Sequence, residues 1–370
     1  MQERGIHLAL EPEAEPTTDS DVFYNTDVAT NRDISTACLA VHAAARDGEL
    51  RVCDALAASG IRGLRYLDEV DGIEELLLND ISAEAVANIE ENLSLNEDLD
   101  GDRVAVSRQD ATLLLAQEFR GLDYVDVDPF GSPAPHLDAA ARAVRHEGLA
   151  GFTATDLGPL YGSYPKVCRR RYAATPMKIG FGHELGLRIL VKEVFQAFAR
   201  YDHAFTPIAA WHEQHYSRVV GRVEESKQQC NGLLDSIGHL SACRDCRWRG
   251  YERTATCPGC GGDVETAGPL WTGPLGDTAF LDDVAAWLDD RGYGAAHDLV
   301  ATLRGEADIA VPFYDTHELA SAAGVQAPGR ATLLERVREQ GYRAVPTHFS
   351  PQGVRTDAPL DVLHAAVRGS

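Results

Sequence analysis

From Leu50 to Thr155, strand-like and helix-like stretches take turns without interruption. Apolar runs at Leu50 to Ala55, Glu75 to Leu78, Val104 to Ser107, Tyr124 to Val127 and Leu149 to Thr155 are separated by helical patterns. These patterns begin near Arg62, run over Ala83 to Leu95, lie near Leu113 and run over Pro135 to Arg145. Such alternation predicts an α/β domain built on a parallel sheet covered on both faces. In that architecture ligands bind at the carboxyl ends of the strands. A helix over Arg32 to Ala45 is expected ahead of the sheet, because Ile34, Cys38, Val41 and Ala45 recur at steps of three and four residues. The start of the chain, through Asp19, is rich in Glu, Pro and Thr and is expected to fray or lie on the surface.

The expected strand ends carry the chemistry. After the first, Cys53-Asp54-Ala55-Leu56-Ala57-Ala58-Ser59-Gly60-Ile61-Arg62-Gly63 opens a helix with small residues that let a ligand approach the backbone. Only Gly60 and Gly63 fit the spacing of the dinucleotide fingerprint, and Ala58 stands where its first glycine would be. A cofactor without a pyrophosphate fits better. The second strand ends in Asn79-Asp80, an acid placed to accept both hydroxyls of a ribose, and the third in Gln109-Asp110-Ala111, placed to meet an adenine edge. Ribose and adenine without phosphate point to S-adenosyl-L-methionine. An NAD-dependent oxidoreductase is the rival that the broken fingerprint argues against.

The fourth strand runs into Asp126-Val127-Asp128-Pro129-Phe130-Gly131-Ser132. A carboxylate held by a proline beside an aromatic ring suits a flat nucleobase, because the ring can stack while the acid accepts a proton. Asp128 is the expected base. Strand alternation sends Asp126 to the same face, where it is the second candidate and could meet the methionine amino end.

Cys243 and Cys246, then Cys257 and Cys260, form two Cys-x-x-Cys pairs ten residues apart, the spacing of two knuckles around a structural zinc ion. Cys38, Cys53, Cys168 and Cys230 stand alone, as buried small hydrophobes do. Arg244, Arg247, Trp248, Arg249, Tyr251 and Arg253 surround the knuckle, and a polar loop over Pro159 to Lys178 carries Arg169, Arg170 and Arg171. Both are expected RNA contacts, since neighbouring arginines repel unless anions neutralise them. Beyond the knuckle, Glu318 to Arg355 resembles a winged helix-turn-helix, with Gly324 in the turn and Tyr342 to His348 as a wing strand.

Taken together, Phe23-Tyr24-Asn25, the Asp54 to Gly63 loop, Asp128 to Ser132, the four cysteines and His348-Phe349-Ser350-Pro351-Gln352-Gly353 resemble the tRNA (guanine26-N2)-dimethyltransferase family of archaea and eukaryotes. The resemblance spans nearly the whole chain. It implies a Rossmann-like class I methyltransferase sheet over residues 1–235, followed by a zinc-binding, helical tRNA-binding domain over residues 236–370. It also implies an enzyme that places one and then a second methyl group on the exocyclic amine of guanine 26. By the same resemblance Phe23 and Phe130 cover the two faces of the guanine. Arg32, Arg62, Asp80, Asp110 and Ala111 then line the S-adenosyl-L-methionine site, with Arg32 pairing a carboxylate through both arms of its guanidinium. The alternatives are a zinc-ribbon RNA-binding protein without methyl transfer and an amino-methyltransferase acting on another base. A membrane or an obligate protein partner is not implied.

Fifty-seven acidic residues against 34 Lys and Arg give a formal charge of −23. On its own that field opposes a polyanion. At about 1 M salt the screening length falls to roughly 3 Å, leaving only local contacts to count. The composition therefore suggests a halophile's cytoplasmic protein, with an acidic mesophilic enzyme as the rival reading.

Overall fold

The chain folds, in a computed structural model that describes residues 1–10, 22 and 24–369, around one sheet whose strands start in the middle and work outward. A short hairpin, β1 (Gln2–Glu3) with β2 (Ile6–His7), precedes α1 (Ala29–Ala44). Then follow β3 (Leu50–Asp54), α2 (Ile61–Glu69), β4 (Ile73–Asp80), α3 (Ala83–Leu95), β5 (Val104–Arg108), α4 (Ala111–Gln117), β6 (Leu122–Val127), α5 (Leu137–Ala143) and β7 (Val144–Ala154). The first ten residues do not fray, because Glu3 is buried against Arg32; the rest of the stretch expected to fray lies outside the described residues.

The helices α6 (Leu157–Leu160), α7 (Pro165–Tyr172) and α8 (Gly182–Ala199) lead to the last two strands, β8 (His203–Glu213) and β9 (Tyr216–Glu225). The strand order is β5-β4-β3-β6-β7-β9-β8. Strands β3 to β7 pair in parallel, whereas β9 runs antiparallel between β7 and β8. The chain leaves β3 toward β5 and returns to β6 on the other side. This opens a crevice at the carboxyl ends of β3 and β6, where open α/β sheets bind ligands.

Period-two alternation splits the core between the two faces. Val52 and Tyr124 pack with α1, α2 and the later helices α10 (Thr278–Asp290) and α11 (Gly294–Glu306). Their neighbours Cys53 and Val125 pack with α4, α5 and α8. The four lone cysteines are buried. The stretch read as a polar loop contains α7. Pro165 starts that helix with its φ already helical, and Cys168 and Tyr172, one turn apart and fully buried, give it an anchoring face.

Past α9 (Lys227–Leu234), strands β10 (Ile237–Ala242), β11 (Arg249–Gly250) and β12 (Glu265–Trp271) form a three-stranded antiparallel sheet in the order β11-β10-β12. Leu240, Ala267, Leu270 and Trp271 join the core on the α8 face, so apolar packing is continuous across residue 235. The last unit comprises β13 (Tyr314–Asp315), α12 (Thr316–Ala323), α13 (Arg330–Glu339), β14 (Ala344–Thr347), β15 (Ser350–Thr356) and α14 (Leu360–Arg368), and it has a core of its own. Gly324 ends α12 in the left-handed region, at φ +70°, and β14 with β15 makes the hairpin expected of a wing. Arg355, fully buried, clasps this unit to the sheet: its guanidinium lies 2.7 Å from Glu184 of α8 and 2.8 Å from Glu306 of α11.

Candidate active site and metal centre

The crevice is shaped by what the Asp54 to Gly63 loop must do to turn from β3 into α2. Gly60 adopts φ +77°, and a side chain on Gly63 would overlap Leu78 of β4, so α2 lies tight on the sheet. Asp80 braces the loop: its carboxylate accepts from the backbone N–H of Ala58 at 3.0 Å and of Ser82 at 2.9 Å. Each oxygen accepts one bond and retains the capacity for a second. Asp110 caps α4 by accepting from Leu113 N at 3.1 Å, and Ala111 is buried beside it. Asn79, which the sequence pattern did not single out, is the buried hub of this edge, bonding Ala55 O, Gln109 O and the Ser107 hydroxyl.

Asp128 stands where β6 ends and Pro129 turns the chain out of the sheet. Its carboxylate forms a close ion pair with Arg62. Arg62 is itself fixed from the other side by Asn31 Oδ1 and Ser35 Oγ, each at 3.1 Å. Phe130 presents its ring to solvent, 53 % exposed. Gly131, at φ +99°, donates to the Thr155 hydroxyl at 2.6 Å, which fixes the turn to the end of β7. Phe23 lies outside the described residues.

Two of the expected site residues are already engaged within the protein. Asp126 faces the same guanidinium as Asp128, with Oδ1 3.8 Å from Arg62 Nε, but lies deeper. It is fully buried and accepts from Arg218 at 2.5 and 3.1 Å, Tyr66 at 2.7 Å and Tyr124 at 2.8 Å. Burial alone would push this carboxyl up; Arg218, and then Arg62, overcome that and hold it at about 2. These bonds make it a foundation of the site. Arg32, for its part, spends its bidentate pairing on the chain's own Glu3, at 2.8 and 2.5 Å, and adds Asn25 O at 2.9 Å.

The same crevice contains a buried acid in search of a partner. Asp54, at the end of β3, has Oδ1 buried without a hydrogen bond. Burial, reinforced by the nearby Asp126 charge, pushes its carboxyl up to about 8. A cationic amine entering here would satisfy that oxygen and favour the carboxylate. An orphaned acid at β3, a ribose-compatible acid at β4 and a small buried residue at β5 fit a cofactor with an ammonium group, a sugar diol and an adenine, which is S-adenosyl-L-methionine.

The four thiols converge. All Sγ atoms of Cys243, Cys246, Cys257 and Cys260 lie within 4.8 Å of one another, with Cys243 to Cys260 at 3.6 Å and Cys246 to Cys257 at 3.4 Å. Four thiolates at about 2.3 Å from a tetrahedral zinc ion stand about 3.8 Å apart, so the set fits that metal with no position left for water. Each pair rides on a tight turn, closed by Cys243 N to Trp248 O at 2.8 Å and by Cys257 N to Gly262 O at 2.9 Å. Either Cys243→Ser or chelation should lower the melting temperature by about 5 °C or more, and weaken RNA binding before it alters the chemical step, because a closed site holds folding energy and supplies no reactant. Elemental analysis of native protein should find one zinc per chain; a zinc-free, fully stable protein would contradict this.

The cationic cluster around the knuckle is largely internal mortar. Arg249 is buried between the rings of Phe181 and Tyr314, 3.9 and 4.1 Å from their centroids. The Tyr251 hydroxyl donates to Ala310 O at 2.7 Å. Both cross from the hairpin to neighbouring elements; Arg249, being buried, cannot reach an RNA surface, whereas Tyr251 is partly exposed. Arg244 and Arg253 remain exposed.

Comparison with known proteins places these features together in one family. The model of the N2,N2-dimethylguanosine tRNA methyltransferase family matches residues 7–368. A tRNA (guanine(26)-N(2))-dimethyltransferase of Thermococcus kodakarensis is 39% identical over 374 residues, covering 97% of this chain and 96% of that one. A tRNA (guanine(26)-N(2)/guanine(27)-N(2))-dimethyltransferase of Aquifex aeolicus is 34% identical, covering 97% and 93%. Among solved structures, Trm1 from Pyrococcus horikoshii in complex with S-adenosyl-L-methionine superimposes with a TM-score of 0.85 at 33% identity, covering 95% of this chain and 96% of that one.

Proposed function

The chain belongs to the N2,N2-dimethylguanosine tRNA methyltransferase family, and from that premise we propose that it methylates the exocyclic N2 of guanine 26 in tRNA twice, with S-adenosyl-L-methionine as donor. The observation that carries this reading is Asp128: a half-exposed carboxylate beside an exposed Phe130 ring, at the mouth of a crevice that fits the donor. The donor, when bound, supplies an electrophilic methyl group. The protein's own residues do the rest. Phe130 covers one face of a base drawn out of the helix, a contact worth about 1 to 3 kcal/mol, and Phe23 is assigned the other face. Asp128 accepts the N–H of the amine, whose lone pair is otherwise delocalised into the purine, and takes the proton as the nitrogen pyramidalises. N2 carries two hydrogens, so the same carboxylate serves both transfers and the reaction stops at two methyl groups.

We assign Arg62, Asp80, Asp110 and Ala111 to the donor site. Arg32, locked to Glu3, is assigned to its outer wall. Residues 1–235 would carry methyl transfer and residues 236–370 tRNA binding. Among the described residues no helix is long and apolar enough to cross a membrane, which suits a protein that meets its substrate in a cytoplasm, a saline one on the evidence of its charge.

Nucleoside mass spectrometry of unmodified tRNA incubated with protein and donor tests the reading, with mono- and then dimethylguanosine at position 26 as the expected products. Asp80→Ala should weaken donor binding about 10- to 150-fold by calorimetry, the range of a hydrogen bond to a charged group, with tRNA affinity unchanged. An unaltered donor dissociation constant would argue against the pocket assignment.

A further inference from the structure

Between the catalytic turn and α8 the chain carries an arrangement that neither donor binding nor proton removal requires. From Leu157 to His183 it has five cations and no acid, inside a protein of charge −23. On α7, Lys166, Arg169 and Arg170 stand at i, i+3 and i+4 and so share one exposed face. Arg171 is neutralised by Asp156 at 2.9 Å, while Arg170 forms no ion pair among the described residues. At the N-cap of this helix stands Tyr164, 61 % exposed. Its ring lies against Gly158, where any side chain would come within 2.9 Å of Cδ2 and Cε2. The glycine gives the ring a seat and leaves it presented to solvent.

This platform is joined to the catalytic turn. Ser132 Oγ donates to the Tyr172 hydroxyl at 2.7 Å, and that hydroxyl donates to Asp156, the partner of Arg171. Gly131 O accepts from Thr155 N at 2.8 Å, one residue before Asp156. The turn that carries Asp128 and the helix that carries the cations therefore hold one another.

We propose that Tyr164 stacks on the base adjacent to the guanosine drawn into the site, while Lys166, Arg169 and Arg170 hold the phosphates of that same strand. Drawing a base out of a helix leaves its neighbours unstacked. An aromatic face next to a line of cations is the means by which proteins hold such a strand without reading its sequence. The inference rests on the methyl-transfer reading and adds the second nucleotide to it.

The test is steady-state methylation of tRNA by the parent, Tyr164→Ala and Tyr164→Phe. Alongside normal tRNA, substrates are used that are abasic on one side or the other of the target. Because the ring is exposed, the Ala variant should melt with the parent. Its KM for tRNA should rise about 10- to 100-fold with kcat little changed, and Tyr164→Phe should restore it. On the substrate abasic at the stacked neighbour, parent and Ala variant should become equal. An Ala variant with parental KM, or losses from variant and abasic site that simply add on both sides, would overturn the proposal alone. A parent that leaves tRNA unmethylated would overturn the methyl-transfer reading, and this one with it.

Discussion

Asp128→Asn should lower single-turnover methyl transfer to tRNA by about a hundredfold or more, within the 10² to 10⁴ range of general-base catalysis, while donor affinity stays near that of the parent. The amide keeps an oxygen for Arg62 to bond, so the variant's side chain should stay in place and lose only its capacity to take a proton. That separates chemistry from geometry. A variant with near-normal turnover would place the base elsewhere. Asp126 could not inherit the role, since it is fully buried beneath four donor contacts.

Arg218→Met should cost about 3–5 kcal/mol of stability at neutral pH, the range for stripping one partner from a buried ion pair. Both side chains are fully buried, so solvent screening does not soften the loss. The pH dependence identifies the cause. In the parent, Asp126 titrates at about 2 when folded, below the value near 3.9 of an unfolded aspartate. Its contribution is therefore fully present above about pH 4 and is lost as pH falls toward 2. In the variant the carboxyl is still buried but no longer paired with Arg218, so its folded value rises and the penalty should grow as pH increases from about 4 to 7. Denaturant melts at pH 5 and pH 7 check this. An equal loss at both would mean that the methionine disrupts packing instead of stranding a charge.

Where local pattern sufficed, the sequence was readable. Helix α3 keeps the limits that its apolar spacing predicts, and it is closed by a side-chain cap, Ser82, at its predicted start. The zinc ligands were legible for a similar reason: each pair sits three positions apart on one tight turn, so spacing alone implies convergence. Asp80 and Asp110 could be picked out because strand ends in a parallel sheet all face one crevice. Helix α7 was hidden by the thinness of its buried face, two residues among four cations. The orientation of β9 was hidden too, since a two-residue turn at Gln214 and His215 leaves no mark that distinguishes a hairpin from a crossover. Pairings were the least accessible: Arg218 lies 92 residues from Asp126, and Arg32 meets an acid 29 residues before it. No periodicity encodes which cation will meet which acid.

The clasp formed by Arg355, Glu184 and Glu306, with Arg249 wedged between Phe181 and Tyr314, leaves the terminal unit little freedom to swing against the sheet. A protein built this way works as a caliper of fixed span. On the proposed division of labour, with tRNA held by the terminal unit, the guanine that reaches Asp128 would be set by its distance from that unit, and the RNA, being the softer body, would supply the bending that closes the gap.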